Sequence, residues 1–136
     1  MIYITEEEVK DLYFLQKKKD IRLYTELTTR DIHMETIIND IGKTILKINE
    51  SFKESVVREL CSDLLIDSIT AYTKENIMGN IKTEVDLAVR DFKRTPITSI
   101  NCLVFDILNS LFEKDFVGII VYTIAIEAYL NKLKKR

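Results

Sequence analysis

Two apolar stretches stand back to back in the last third of the chain, Pro96 to Phe112 and Phe116 to Ile126, separated only by Glu113-Lys114-Asp115. Ile97, Ile100, Leu103, Val104, Phe105, Ile107, Leu108 and Leu111 make the first apolar nearly all round; Val117, Ile119, Ile120, Val121, Ile124 and Ile126 do the same for the second. A helix that is apolar on every side has to be covered by other elements. A three-residue polar turn between two such helices predicts an antiparallel hairpin at the centre of a bundle, with the earlier, more amphipathic helices wrapped around it. Thr95-Pro96 is the expected start of the first arm, because proline in the first helical position loses no hydrogen bond. The second arm is expected to end in Lys132-Leu133-Lys134-Lys135-Arg136, with cations where a helix C-terminus favours them.

The rest of the chain agrees with an all-α reading. Three glycines and one proline in 136 residues are too few turn-formers for a sandwich or barrel. Thr5-Glu6-Glu7-Glu8 is a capping box opening a helix with Val9, Leu12 and Tyr13 on one face. Residues 20–30 continue less regularly, and Thr28, Thr29 and Asp31 mark a break. Met34, Ile37, Ile38, Ile41, Ile45 and Ile48 follow steps of three and four, the period of an amphipathic helix. Ser51-Phe52-Lys53-Glu54 reads as a second capping box, opening a helix from 53 to about Tyr72 that carries Val56, Val57, Leu60, Leu64 and Leu65. Thr73 is expected to restart a more polar helix with Ile77, Ile81, Val85, Val89 and Phe92 on one side. The expected architecture is one domain, residues 1–136, an all-α bundle with a central apolar hairpin.

Composition narrows the function classes. A net charge of −2 argues against a general nucleic-acid binder. The longest uncharged runs fall short of the roughly 18 residues of a membrane span, which predicts a soluble chain with no transmembrane segment. Cys61 and Cys102 lie in apolar helical stretches, away from any metal spacing or second histidine, so they are expected to be reduced core residues. His33 stands alone beside acids and reads as a surface residue. There is no glycine-rich phosphate loop. Lys17-Lys18-Lys19 and Lys132 to Arg136 read as solvated helix ends. No enzyme chemistry, cofactor or metal site is expected, and binding to another protein is the remaining class.

Three stretches carry a likeness to a known family. Ile38-Asn39-Asp40-Ile41-Gly42-Lys43-Thr44-Ile45, with Met34 one turn earlier, has the apolar spacing and the glycine of the third homology motif of the Bcl-2 family of apoptosis regulators, departing at Lys43 where the family has aspartate. A small residue at Gly42 would suit a close helix neighbour. Glu8-Val9-Lys10-Asp11-Leu12-Tyr13-Phe14-Leu15 is similar to the family's first helix. Asn109-Ser110-Leu111-Phe112-Glu113-Lys114-Asp115-Phe116-Val117-Gly118-Ile119-Ile120-Val121 resembles the first homology motif, with Val117 for its tryptophan and Ile119 for its arginine. In that frame Gly118 opens the family's central helix. In a competing frame, favoured on packing grounds, Pro96 to Phe112 is the fifth helix, Phe116 to Lys134 the sixth, and the turn Val89 to Arg94 takes the motif's place. Together the stretches span most of the chain in order, and the chain most resembles a compact viral member.

The resemblance implies an anti-apoptotic protein that sequesters the amphipathic death-motif helix of pro-apoptotic proteins in a hydrophobic groove. Helix-in-groove recognition places apolar anchors at i, i+3/i+4 and i+7, with one charge pair fixing register. The groove residues it implies are Ile48, Phe52, Val56, Leu60, Leu64 and Val89, with Arg90 or Arg94 as the cation for the ligand's acid. A homodimer is compatible with it. The implied location is the host cytoplasm or the mitochondrial periphery. The alternative is a non-enzymatic interaction or self-assembling protein of another helical family.

Overall fold

A computed structural model of the chain describes residues 2–5, 7–9, 11–12, 33–51, 53–76, 79–90, 95–97 and 100–134. They form an all-α bundle held at one point by a short two-stranded clip. In chain order the elements are β1 (Ile2–Ile4), a helical stretch at 7–9 and 11–12, α1 (Met34–Glu50), α2 (Glu54–Glu75), α3 (Ile81–Arg90), β2 (Thr95–Ile97), α4 (Ile100–Phe112) and α5 (Phe116–Lys134). The expectations for Lys17-Lys18-Lys19, residues 20–30, Phe52, Ile77 and 91–94 lie outside the described residues.

The apolar period of α1 does what it predicts: Ile37, Ile41, Ile45 and Ile48 are buried in one row, with Met34 and Ile38 beside it. That row packs on α2 and α4. The C-terminal hairpin forms, but only its second arm is central. Along α5, buried residues run from Phe116 to Leu130 on all sides, and the helix packs against α2, α3, α4 and β1. α4 instead buries one face, Leu103, Val104, Ile107 and Ser110, and turns the other outward. By length and composition α5 is also apolar enough to cross a bilayer, contrary to the count of uncharged residues. Most of it is buried inside the bundle, and covering by its neighbours accounts for the same composition.

The turn between α4 and α5 follows from three residues. Lys114 adopts φ 55°, the left-handed conformation that closes many helices. Its N–H donates to Leu111 O at 3.0 Å and the Asp115 N–H donates to Ser110 O at 2.8 Å, which together satisfy the last carbonyls of α4 in a Schellman motif. Asp115 then caps the next helix: its Oδ1 accepts the Gly118 N–H at 2.9 Å and its carbonyl accepts the Ile119 N–H at 3.2 Å. Gly118 has little room to vary, since a Cβ there would fall 2.8 Å from Ser110 Oγ and 2.9 Å from Asp115 Cγ.

Several local expectations are corrected. Pro96 does not open a helix; Thr95–Ile97 is extended and pairs antiparallel with Ile2–Ile4, Tyr3 opposite Pro96, and the helix begins at Ile100. A two-stranded ribbon tolerates proline because each strand keeps an unpaired edge. Thr73 does not restart a helix. Its Oγ1 donates to Ile69 O at 2.8 Å from inside α2, which runs on to Glu75. The restart comes later, where Asn80 Oδ1 accepts the Thr83 N–H at 3.3 Å. The Ser51 capping box is not made: Ser51 closes α1 with its N–H on Ile48 O, and Lys53 precedes α2 without a side-chain cap. The Thr5 cap is made, with the Glu8 N–H on Thr5 Oγ1 at 3.3 Å.

Candidate protein-interaction surface

The residues expected to line a groove are dispersed. Ile48, Leu64 and Val89 are at most 1 % exposed and act as core, joining α1, α2 and α3 to the bundle. Leu60 is half-buried, Val56 is exposed on α2, and Arg90 is exposed at the end of α3; Phe52 and Arg94 lie outside the described residues. None of the six described residues lines either of the two cavities described below.

The surface that stands out chemically is the outer face of α4. Phe105 is 64 % exposed and Phe112 88 %. Seven residues apart, they share a helix face, with half-buried Leu108 between them and exposed Cys102 one turn before Phe105. Asn101 and Asn109 are exposed on α4 as well, and none of these six residues is charged. Burying a phenylalanine is worth about 1.5–3 kcal/mol, so two left in water are a standing incentive for association. Sequence reasoning assigned this helix to the core because its apolar residues outnumber the polar ones. Asn101 and Asn109 were the signal that one side faces out.

Charged residues elsewhere serve to join helices. Arg58 Nη2 lies 2.9 Å from Glu54 Oε1 and donates to Asn131 Oδ1 at 2.7 Å, tying α2 to α5. Lys134 Nζ lies 3.4 Å from Glu54, and Lys132 Nζ 2.9 Å from Glu8. Two of the C-terminal cations thus have carboxylate partners instead of being purely solvated. The Arg58 guanidinium, with Lys134 behind it, holds the Glu54 carboxyl below the usual carboxylate range. Glu54 does not complete the capping box because the helix starts one residue after Lys53, which puts Glu54 at its first position and not its third.

Two cavities open on the described surface. One, about 250 Å³, lies between α1 and α2 and is lined by Asp40, Lys43, Thr44, Lys47, Asp63, Ile66 and Asp67. Burial lifts the Asp67 carboxyl to about 6, with Asp40 and then Asp63 adding to it. The other, about 380 Å³, lies among the end of α2, α3 and the α4–α5 turn, lined by Tyr72, Asn76, Glu84, Leu87, Lys114, Asp115, Phe116 and Val117. Tyr72 is 4 % exposed, its hydroxyl enclosed beside the Glu84 carboxylate. Burial raises its pKa to about 12, and the nearby Glu84 carboxylate opposes ionisation further. No group of three or more metal-ligating side chains occurs among the described residues. Cys61 is buried and burial pushes its thiol up to about 12, while Cys102 is exposed, contrary to the expectation that both are core.

The motif positions are placed as follows. Gly42 on α1 faces Leu111, and a Cβ there would sit 3.9 Å from Leu111 Cδ2, an ordinary contact that does not require glycine. Ile41 and Ile45 are buried beside it. Gly118 lies in the first turn of α5, the more deeply buried arm of the hairpin. Comparison with protein-family models, curated proteins and solved structures found no match to this chain.

Proposed function

We propose that this chain is a non-enzymatic binding protein that holds an amphipathic helix of another protein, of the kind that pro-death proteins offer to the Bcl-2 family. The observation that supports a binding role best is the uncharged aromatic face of α4, with Phe105 and Phe112 exposed at a spacing of two helical turns. An incoming helix with anchors at i, i+3/i+4 and i+7 matches that spacing. In this reading the seat is the α4 face, not the buried Ile48, Leu64 and Val89. The family part of the proposal rests on the motif resemblance at Ile38–Ile45 and Asn109–Val121.

Titration of the purified chain with a panel of pro-death helix peptides tests it. Binding to at least one peptide is expected, weakened at least about tenfold in the Phe105→Glu, Phe112→Glu double variant, since central aromatic anchors contribute about 2 kcal/mol or more. Absence of binding to every peptide removes the family reading, and binding indifferent to the double variant removes the seat. The lack of charge among Asn101, Cys102, Phe105, Leu108, Asn109 and Phe112 favours a second reading, self-association, because a neutral face can meet its own copy without repulsion. Light scattering separates the two: a dimer that the double variant dissolves, with no peptide bound, supports the second.

A further inference from the structure

Resting on the α4 seat proposed above, we infer that the helix it takes carries lysine or arginine along one edge of its apolar stripe. Phe105, Leu108 and Phe112 run along the outer side of α4, and the two edges of that strip differ. On one edge Leu111 meets α1, where a Cβ on Gly42 would lie 3.9 Å from Leu111 Cδ2. On the other edge, beyond Cys102 and Asn109, stand Asp106 and Glu113, seven residues apart and so on one side of the helix. Glu113 keeps to the helical path, its N–H donating to Asn109 O at 3.2 Å. Asp115 belongs to the same side. Burial raises the Tyr122 hydroxyl on α5, and Asp106 and then Asp115 oppose its ionisation further, which gathers both carboxylates around one phenol.

This rim is acidic and unpaired. Neither Asp106 nor Glu113 forms a salt bridge among the described residues, and the three carboxylates outnumber Lys114 beside them. An apolar stripe by itself does not fix the direction or register of an incoming helix, because leucine-like anchors fit at several offsets; charges along one edge do. Asp106 and Glu113 stand about 10.5 Å apart along the axis, two turns of helix. A helix lying alongside α4 at a shallow crossing angle presents its own i and i+7 side chains at that spacing. Cations there meet both carboxylates, and acids there meet like charge.

The probes are two synthetic amphipathic helices with the same leucine stripe, one with lysines along one edge and the other with glutamates there. Fluorescence anisotropy against the full chain at low salt should show the lysine peptide binding about three- to tenfold more tightly, the difference shrinking at high salt. Glu113→Lys should remove most of that preference. A lysine at the C-terminal end of a helix suits the dipole, so the fold tolerates the change. Glu59→Lys, exposed on α2, alters the net charge equally and should leave the preference intact. Equal affinity for the two peptides, or an equal loss in Glu113→Lys and Glu59→Lys, would overturn the inference. So would a dimer of the free chain that neither peptide dissociates, since a second copy would then hold the strip. The seat is read separately: the neutral double variant Phe105→Ser, Phe112→Ser should weaken both peptides. Binding indifferent to that variant removes the seat, and equal affinities that still depend on it remove only the charged edge. No binding of either peptide removes both.

Discussion

Asp67 shows how one residue's surroundings set a measurable property of the whole chain. Its carboxyl is raised to about 6 from an ordinary 3.8, first by burial and then by Asp40 and Asp63. A raised acid binds its proton more tightly when folded, so its contribution to stability is fully present below about pH 4 and is lost as the pH rises through about 6. Asp67→Asn should therefore match the wild type near pH 4 and exceed it at pH 7. The gain should be about 1 kcal/mol or less, because the side chain is only half-buried. Urea midpoints at the two pH values measure it. The cysteines give a second contrast. Cys61, buried and held as a thiol, should resist maleimide in the folded chain, while exposed Cys102 reacts; mass spectrometry should count one adduct before denaturation and two after. The sequence made both look alike, since each sits in an apolar run. Which side of a helix faces out is decided by neighbours distant in the chain.

At the scale of elements, the α4–α5 turn is the most sharply determined feature. Lys114 at φ 55° is strained relative to glycine, so Lys114→Gly should stabilise the fold by about 1 kcal/mol. Asp115→Ala removes the cap from Gly118 N–H and should cost about 1 kcal/mol; chemical denaturation of both variants checks the opposite signs. The position of this turn was legible from Glu113-Lys114-Asp115 between two apolar runs, and α1 was legible from its isoleucine steps. The breaks elsewhere were less so. Asn76, Gly79 and Asn80 form the real gap between α2 and α3, but Thr73 competes as a cap signal until its hydroxyl is seen bonded back to Ile69 O. The β1–β2 clip could not be read at all, because three-residue strands carry no period and Pro96 fits a helix start equally well. The outward aromatic face of α4 was hidden for the reason that hid Cys102.

For the whole molecule, α5 is the element on which the others depend. Replacing Ile124, 1 % exposed near its middle, by alanine should cost about 2–5 kcal/mol, read as a lower thermal midpoint with the helical spectrum retained at low temperature. The all-α class and the apolar hairpin were legible because both follow from composition and periodicity. The hairpin's asymmetry was not, since only the packed bundle decides which arm is enclosed. That asymmetry has a consequence for synthesis. The enclosed helix is encoded after every other described helix, so α1 to α4 emerge from the ribosome with nothing yet to wrap. At about 5–20 residues per second their sticky faces wait seconds for the segment that will shield them. A nascent chain stalled before Phe116 should accordingly be a chaperone client, and one released after Lys134 should not.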